Sequence, residues 1–315
     1  MLDDYLILRA ILEDGSFTAA AKTLGVTQSY LSQCVRKMEE RCHGSVLSRR
    51  SRPPALTEMG RVYFESRREI HRIEEKTRTY CEDFAHLAVG RLRIASNGER
   101  TNAVLMPAVA AFHRAYPGIT LDFSLELHLE EIPAALTSGE ADIGVLYEYL
   151  LTPELDAYPL FPERYLLAVP DAPAFRNFGS PFNEAGKYPL LSETDAGALR
   201  KLPLLQTYRH HERTETLGRA LGFPVKEFDA TVLQVGTRIS FVASGICAAI
   251  CQERILATYA ARSACRYASL EGVLPVQTMV LAWHRTEYRS KASREFCRIA
   301  LETIRESGDT ARPVA

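Results

Sequence analysis

The chain has no long apolar run, one tryptophan, and almost no net charge, with 38 Lys+Arg against 39 Asp+Glu. Without about 20 consecutive apolar residues, no helix of it spans a membrane. Near-neutrality excludes a uniformly basic coat for nucleic acid, so any DNA-facing charge must be local. There is no P-loop, no GxGxxG after a strand, no GxSxG and no HExxH, so no catalytic residues are nominated and an enzyme is not expected. The seven cysteines form no CxxC pair. Cys34, Cys42 and Cys81 lie in separate predicted elements, and Cys247 and Cys251 flank an apolar strand where small buried thiols are the plain reading. His210 and His211 are adjacent and face different ways, with no Cys/His pair at zinc spacing. No metal and no cofactor are expected. The N-terminus, Met-Leu-Asp-Asp, is acidic rather than basic and apolar, which reads as a cytoplasmic protein in a reducing compartment.

What the chain does have is concentrated at residues 16–43, SFTAAAKTLGVTQSYLSQCVRKMEERCH. Thr18 can cap a first helix rich in alanine, Gly25 can end it, and Thr27 or Ser29 can cap a second. Leu31, Val35 and Met38 recur at helical spacing. That leaves Gln28, Ser29, Tyr30, Ser32, Gln33, Arg36 and Lys37 toward solvent, a set able to read base edges and phosphates in a major groove. Taken alone, the stretch also admits an ordinary helical hairpin with a solvated polar face. Arg49, Arg50 and Arg52 follow in VLSRRSRPPALTEMG, where Pro53 and Pro54 forbid a helix. Val46-Leu47 and Ala55-Leu56 can form the arms of a small hairpin, placing three guanidiniums beside the second helix for phosphates or a minor groove.

In this order (first helix, GSFTAAAKTLGVTQSYLSQ, basic hairpin, then LTEMG opening a long helix) the chain resembles the LysR-type transcriptional regulators over nearly all its length. It departs from their pattern at Ser29-Tyr30, at Cys42-His43-Gly44 and at Leu47. The resemblance implies an N-terminal all-α winged helix-turn-helix domain, joined by a long linker helix to an α/β two-lobed periplasmic-binding-protein-like domain. Ser29, Tyr30, Gln33 and Arg36 are then the expected base-edge contacts. Gln28, Ser32, Lys37, Arg49, Arg50 and Arg52 are expected on bases or phosphates, with Thr18 beside them.

Thr57 is a good N-cap, and from there to about residue 86 the chain lacks proline. Tyr63, Ile70, Ile73, Thr77, Tyr80, Phe84 and Leu87 fall on alternating three and four spacing, broken at Ser66. Such a stripe on a helix about 45 Å long reads as a heptad seam for a second subunit. A dimer would present two reading heads to an inverted-repeat operator. The alternative is that the stripe packs on its own domain.

Beyond Val89-Gly90-Arg91 strands alternate with helices, which predicts an α/β domain with mainly parallel sheets. Strands are expected near 92–95, 119–125, 139–146, 165–169, 203–206, 226–230, 246–251 and 277–284, and helices near 104–116, 130–138 and 290–305. The expected division is 1–57 for the DNA-binding domain, 58–89 for the linker, 90–308 for the effector-binding domain and 309–315 for a disordered tail. The resemblance places one lobe at about 90–162 with 270–305 and the other at about 163–269.

Paired lobes of this kind bind small molecules in the cleft, at strand ends and helix N-termini. Three loops are candidates: Ser96, Asn97, Glu99, Arg100 and Thr101 after the first strand; Thr207, Tyr208 and Arg209 in the second lobe; and Gln234, Gly236 and Thr237 at a helix start. Tyr147 can line the hinge side. Two of the loops bring an arginine, which favours an organic anion. A Glu99 pointing inward would instead admit a zwitterion or a neutral aromatic. On this view Arg100→Ala silences the effector response and spares DNA binding.

The sequence therefore reads as an effector-responsive, DNA-binding transcriptional regulator, a homodimer or homotetramer, with RNA polymerase a candidate partner. Two other readings stand beside it: a redox-sensing regulator of the same family acting through cysteine oxidation, and a solute-binding protein.

Overall fold

The structure, a computed structural model, describes residues 3–48, 51–84, 90–125, 128–183, 186–192, 195, 197, 199–200, 202–206, 211–232 and 234–306. Arg49, Arg50, Leu87, Thr207, Tyr208, Arg209 and the expected tail lie outside the described residues. The chain divides into two compact units, Met1–Phe84 and Ala85–Ala315.

The first unit contains α1 (Asp4–Glu13), α2 (Phe17–Thr23), α3 (Gln28–Cys42) and α4 (Glu58–Phe84). Short polar side chains start each helix by accepting an orphan N–H. Asp3 accepts from Tyr5, Ser16 from Ala19 at 3.1 Å, Thr27 from Tyr30 at 3.2 Å and Thr57 from Gly60 at 2.9 Å. Thr18 is therefore not the cap of α2; Ser16, two residues earlier, has the extended backbone that a cap needs. Gly25 follows the end of α2 with φ +65°. Ile7, Leu8, Ile11, Ala20, Leu31, Val35, Met38 and Val46 close a core between the helices and the hairpin. The hairpin itself forms as expected, with Leu47 bridged to Leu56, Ser48 N–H donating to Ala55 O and Thr57 N–H to Val46 O.

The long helix is pinned to this core by its first turns. A Cβ on Gly60 would sit 1.9 Å from the Val46 carbonyl oxygen, so only glycine lets α4 approach the hairpin so closely. Tyr63 O–H donates to Asp4 at 2.5 Å, Arg41 also meets Asp4, and Asp3 takes Arg67 at 3.2 Å and His71 at 2.6 Å. Partial burial pushes the Asp3 carboxyl up, but hydrogen bonds from the Tyr5 N–H, Arg67 and His71 outweigh it and hold it below the ordinary aspartate value. Tyr63 thus belongs to the packing of its own unit and not to the seam, because the Asp4 carboxylate turns its ring inward. Of the expected stripe, Ile70 and Ile73 stay exposed, Ile73 at 53%, and Val62, outside that stripe, is exposed at 67%. The side chains of Tyr80 and Phe84 lie outside the described ones.

The second unit holds two sheets. The first contains β1 (Gly90–Ala95), β2 (Ile119–Ser124), β3 (Ile143–Tyr147), β4 (Leu155–Glu163) and β11 (Gln277–His284), in the order β2-β1-β3-β11-β4. The second contains β5 (Tyr165–Pro170), β6 (Ser180–Pro181), β7 (Leu204–Gln206), β8 (Glu227–Thr231), β9 (Ala248–Gln252) and β10 (Cys265–Ser269), in the order β6-β10-β5-β9-β7-β8. The sheets are mixed rather than mainly parallel. Only β1–β2, β1–β3, β7–β8 and β7–β9 run parallel among the described pairings. The chain passes from sheet to sheet at 163–165 and returns after Ser269, and the strands that make these passages lie antiparallel to their neighbours.

Between the strands run α5 (Gly98–Arg100), continued by a π turn into α6 (Met106–Ala115), then α7 (Ile132–Thr137), α8 (His211–Leu221), α9 (Val235–Ala243), α10 (Glu253–Leu256) and α11 (Lys291–Glu306). Phe112 of α6 meets Phe296 of α11 edge-on at 5.4 Å in the core of the first sheet. In β5, Leu167 and Val169 enter one core and Leu166 and Ala168 another, so this strand is buried on both faces. No described helix is long and apolar enough to cross a membrane.

Candidate nucleic-acid interface and interlobe site

On α3 the buried line Leu31-Val35-Met38 orients everything else on the helix. Gln28, Ser29, Tyr30, Gln33, Arg36 and Lys37 are exposed and Ser32 is half-buried. Gln28 donates to Ser32 at 3.1 Å, and Arg36 is paired with Glu40 one turn along at 3.1 Å. An exposed i,i+4 pair of this kind is worth a few tenths of a kcal/mol, about 0.3–0.5, so it holds Arg36 only weakly. Thr18 and Arg52 are exposed too. His43 ends the helix in the left-handed region at φ 51°, and the Gly44 N–H donates to Glu39 O.

The interlobe site is built differently from the sequence reading. The loop at 96–101 satisfies itself: Ser96 is fully buried, with its N–H on Ser124 O. Asn97 Oδ1 accepts from the Glu99 N–H, and Thr101 Oγ1 donates to Asn97 O. Glu99 reaches the other lobe. Its carboxylate accepts the Val235 N–H at 2.9 Å, the Gly236 N–H at 3.0 Å and the Tyr259 O–H at 2.6 Å. A side chain on Gly236 would overlap the Tyr259 ring, with Cβ 2.3 Å from Cε1. The N-terminus of α9, expected to await a ligand, is thus filled by the protein's own carboxylate. Gln234 and Thr237 beside it are exposed and within reach of each other at 3.4 Å.

Arg100 is 6% exposed and Glu163 1%. Arg100 donates to the Tyr147 phenol oxygen at 2.7 Å and to Glu163 at 3.4 Å; its Nε and Glu163 Oε1 find no partner among the described residues. It does not face an open cleft, because Tyr147 and Glu163 enclose it. Burial pushes the Glu163 carboxyl above the carboxylate range, against the pull of Arg100, Arg254 and Arg213. Tyr165 O–H donates to the Tyr147 phenol oxygen at 3.2 Å, and Arg213 donates to the Tyr165 phenol oxygen at 2.9 Å. This chain of contacts joins the two sheets beside the first crossover. Arg213 also borders a cavity of about 280 Å³ with Tyr149, Tyr165, Thr216, Leu274 and Gln277.

Sequence reasoning missed Glu163, Tyr165, Arg213, Arg238 and Tyr259. One signal for Arg238 was available: it shares the apolar face of α9 with Val235, Ile239 and Val242. Its guanidinium is buried, donates to Ile250 O at 2.6 Å and Gln252 at 3.0 Å, and is pushed to a lower pKa by that burial. Glu163 likewise interrupts the apolar LFPERYLLAVP. No comparable signal marks Tyr259, which meets Glu99 only through the fold.

Residues 2–61 match the model of the bacterial regulatory helix-turn-helix proteins of the lysR family, and residues 85–305 match the LysR substrate binding domain. The chain belongs to the LysR family. It is 30% identical over 174 residues to a probable RuBisCO transcriptional regulator of Cyanidioschyzon merolae, covering 54% of this chain and 56% of that one. It is 29% identical over 156 residues to the HTH-type transcriptional activator AaeR of Escherichia coli, covering 49% and 50%. The chain spans about half the length of these curated relatives. Full-length CbnR, solved in complex with its target DNA, has the same fold, with a TM-score of 0.64 at 18% identity, covering 98% of this chain and all of that one.

Proposed function

We propose that this chain is a DNA-binding transcriptional regulator whose activity is set by a small organic anion held between its two lobes. The observation that carries the DNA-binding reading is the exposed Ser29-Tyr30-Gln33-Arg36 face, presented by a helix whose opposite face is locked into a core. Those four side chains read base edges. Gln28, Ser32, Lys37 and the arginines of the hairpin meet bases or phosphates, and Thr18 lies close to them. The exposed Val62, Ile70 and Ile73 of α4 are the contact for a second copy, which pairs two such helices for an inverted repeat. The lobes, about 90–162 with 270–305 and about 163–269, change relative orientation with effector and so shift the population of DNA-binding states.

Arg36→Ala tests the interface. It weakens binding to the operator by about 1–3 kcal/mol, on the order of 5- to 150-fold, in a mobility-shift titration at fixed salt. Unchanged operator affinity would sink the assignment of this face.

The anion reading rests on charge. Around the seam between the sheets, the guanidiniums of Arg100, Arg213 and Arg254 act on the Glu163 carboxyl, and Arg238 lies near Glu99. The redox reading has less support. Burial pushes the thiols of Cys247, Cys265 and Cys297 up to about 11 and that of Cys251 up to about 12, which keeps them un-ionised and unreactive.

A further inference from the structure

Two features of the interlobe seam, taken together, restrict what the effector is. The first is the contact between Glu99 and α9. A helix of nine residues presents free N–H groups at its N-terminus, and such an end binds carboxylates. Here the receptor is complete, with two backbone N–H donors and a phenol from a third segment within 3.0 Å of one carboxylate. The carboxylate comes from the opposite lobe of the same chain, 136 residues away in sequence.

The second feature is which guanidinium remains available. Arg100 is spent on Tyr147 and Glu163, and Arg238 on Ile250 O and Gln252. Arg254 lies over the Phe161 ring at 4.1 Å. Arg213 lies over the Tyr165 ring at 4.4 Å, donates to its phenol, and has no carboxylate within 4.0 Å among the described residues. It borders the cavity of about 280 Å³, at the small end for a ligand pocket. The other walls are the rings of Tyr149 and Tyr165, the apolar Leu274 and Pro275, and two neutral polar side chains, Thr216 and Gln277. Tyr149, 55% exposed, is stacked on Tyr147 at 5.5 Å and 16°, and Leu274 faces the same space.

We propose that Glu99 is a resident anion that fills the carboxylate receptor of α9, so that the effector is a monoanion with a flat, ring-sized body, its single charge placed at Arg213. A second anionic group meets no second cation on this lining, where Thr216 and Gln277 offer only neutral donors. This rests on the reading of the seam as the effector site. Glu99 thereby sets specificity, excluding dianions that an empty receptor would accept.

The test uses the full-length protein, thermal unfolding and four probes: formate, benzoate, benzamide and phthalate. Glu99→Ala empties the receptor and lowers the midpoint by at least about 3 °C. Formate at tens of millimolar restores it in the variant and leaves the wild type unchanged. Formate acting no better on the variant than on the wild type overturns the resident-anion assignment. Glu99→Gln, which keeps the side-chain shape, serves if Glu99→Ala does not fold, and its midpoint must also fall. Benzoate raises the wild-type midpoint, and benzamide and phthalate do so at least tenfold less effectively by concentration. Phthalate equal to benzoate, or no response to benzoate, overturns the monoanion class. Arg213→Gln abolishes the benzoate shift while keeping the formate response of the Glu99→Ala background. If instead benzoate still acts without Arg213, the effector site is misplaced, whatever formate shows at Glu99.

Discussion

From the sequence alone, Arg100→Ala reads as a variant deaf to effector yet competent for DNA. The structure turns it into a stability experiment. Arg100 and Glu163 are both almost completely buried, and Arg100 is the described hydrogen-bond donor to that carboxylate. Removing one member of a buried pair strands the other charge, at a cost of about 3–5 kcal/mol. The loss of the hydrogen bond to Tyr147 adds to it. Arg254 and Arg213 still pull on Glu163, which holds the total near the lower end of that range. Replacing both partners with neutral side chains, Arg100→Met with Glu163→Gln, recovers much of the loss, with a coupling of about 1–3 kcal/mol in a double-mutant cycle.

Urea unfolding followed at Trp283, the single tryptophan, reports on β11 beside this pair. The dependence on pH has a definite sign. The Glu163 carboxyl titrates higher in the folded chain than in the unfolded one. Its contribution to stability is therefore full below the unfolded glutamate value of about 4.3 and is lost as pH rises through the folded value. Without Arg100 that loss grows, so the deficit of Arg100→Ala is larger at pH 8 than at pH 5. A single variant as stable as wild type, or a double variant no better than the sum of two singles, refutes the pairing.

Three further outcomes are expected. Gly60→Ala drives a methyl into the Val46 carbonyl and destabilises the first unit by about 1–3 kcal/mol, measured by chemical denaturation; a neutral effect would contradict the close approach of α4 to the hairpin. Ile73→Glu places a charge on the exposed stripe of α4 and shifts sedimentation from dimer toward monomer with little change in helix content; an unaltered dimer would place the subunit contact elsewhere. Asp3 is held below its ordinary value, so its contribution to stability is present above about pH 4 and lost as pH falls through the folded value. Amide exchange in α1 should accelerate below pH 4 in wild type and much less steeply in Asp3→Asn, whose baseline exchange is already faster; parallel profiles would show that the Asp3 clasp to Arg67 and His71 is idle.

The local patterns were legible because each acts over a few residues. Leu31, Val35 and Met38 announced the buried side of α3, Thr27 and Thr57 announced helix starts, and Pro53-Pro54 announced a hairpin. Errors arose where two local rules competed. Thr18 and Ser16 are both good caps, and the choice between them follows from where the chain turns into α2. Tyr63 fits a heptad by spacing, yet Asp4, 59 residues away, turns it inward. Strands β4, which carries prolines, and β6, only two residues long, lack the alternation of a strand, and the antiparallel β3–β11 and β5–β9 pairings join expected strands whose relative direction no local pattern encodes.

The effector site was the least legible part. Loop 96–101 reads from the sequence as a receptor for a carboxylate, whereas in the structure its Glu99 supplies one to the Val235 and Gly236 N–H groups. What the sequence determined by itself was the order of parts, the buried and exposed faces of α3 and the family, since periodicity, caps and motif spacing are short-range properties. What only the tertiary structure decided was which charges cancel. Glu99 met Tyr259 across 160 residues and Arg100 met Glu163 across 63, while Arg213, on the Tyr165 phenol, has no carboxylate within 4.0 Å among the described residues. A side chain's electrostatic partner depends on distance in space, and nothing in the spacing along the chain encodes it.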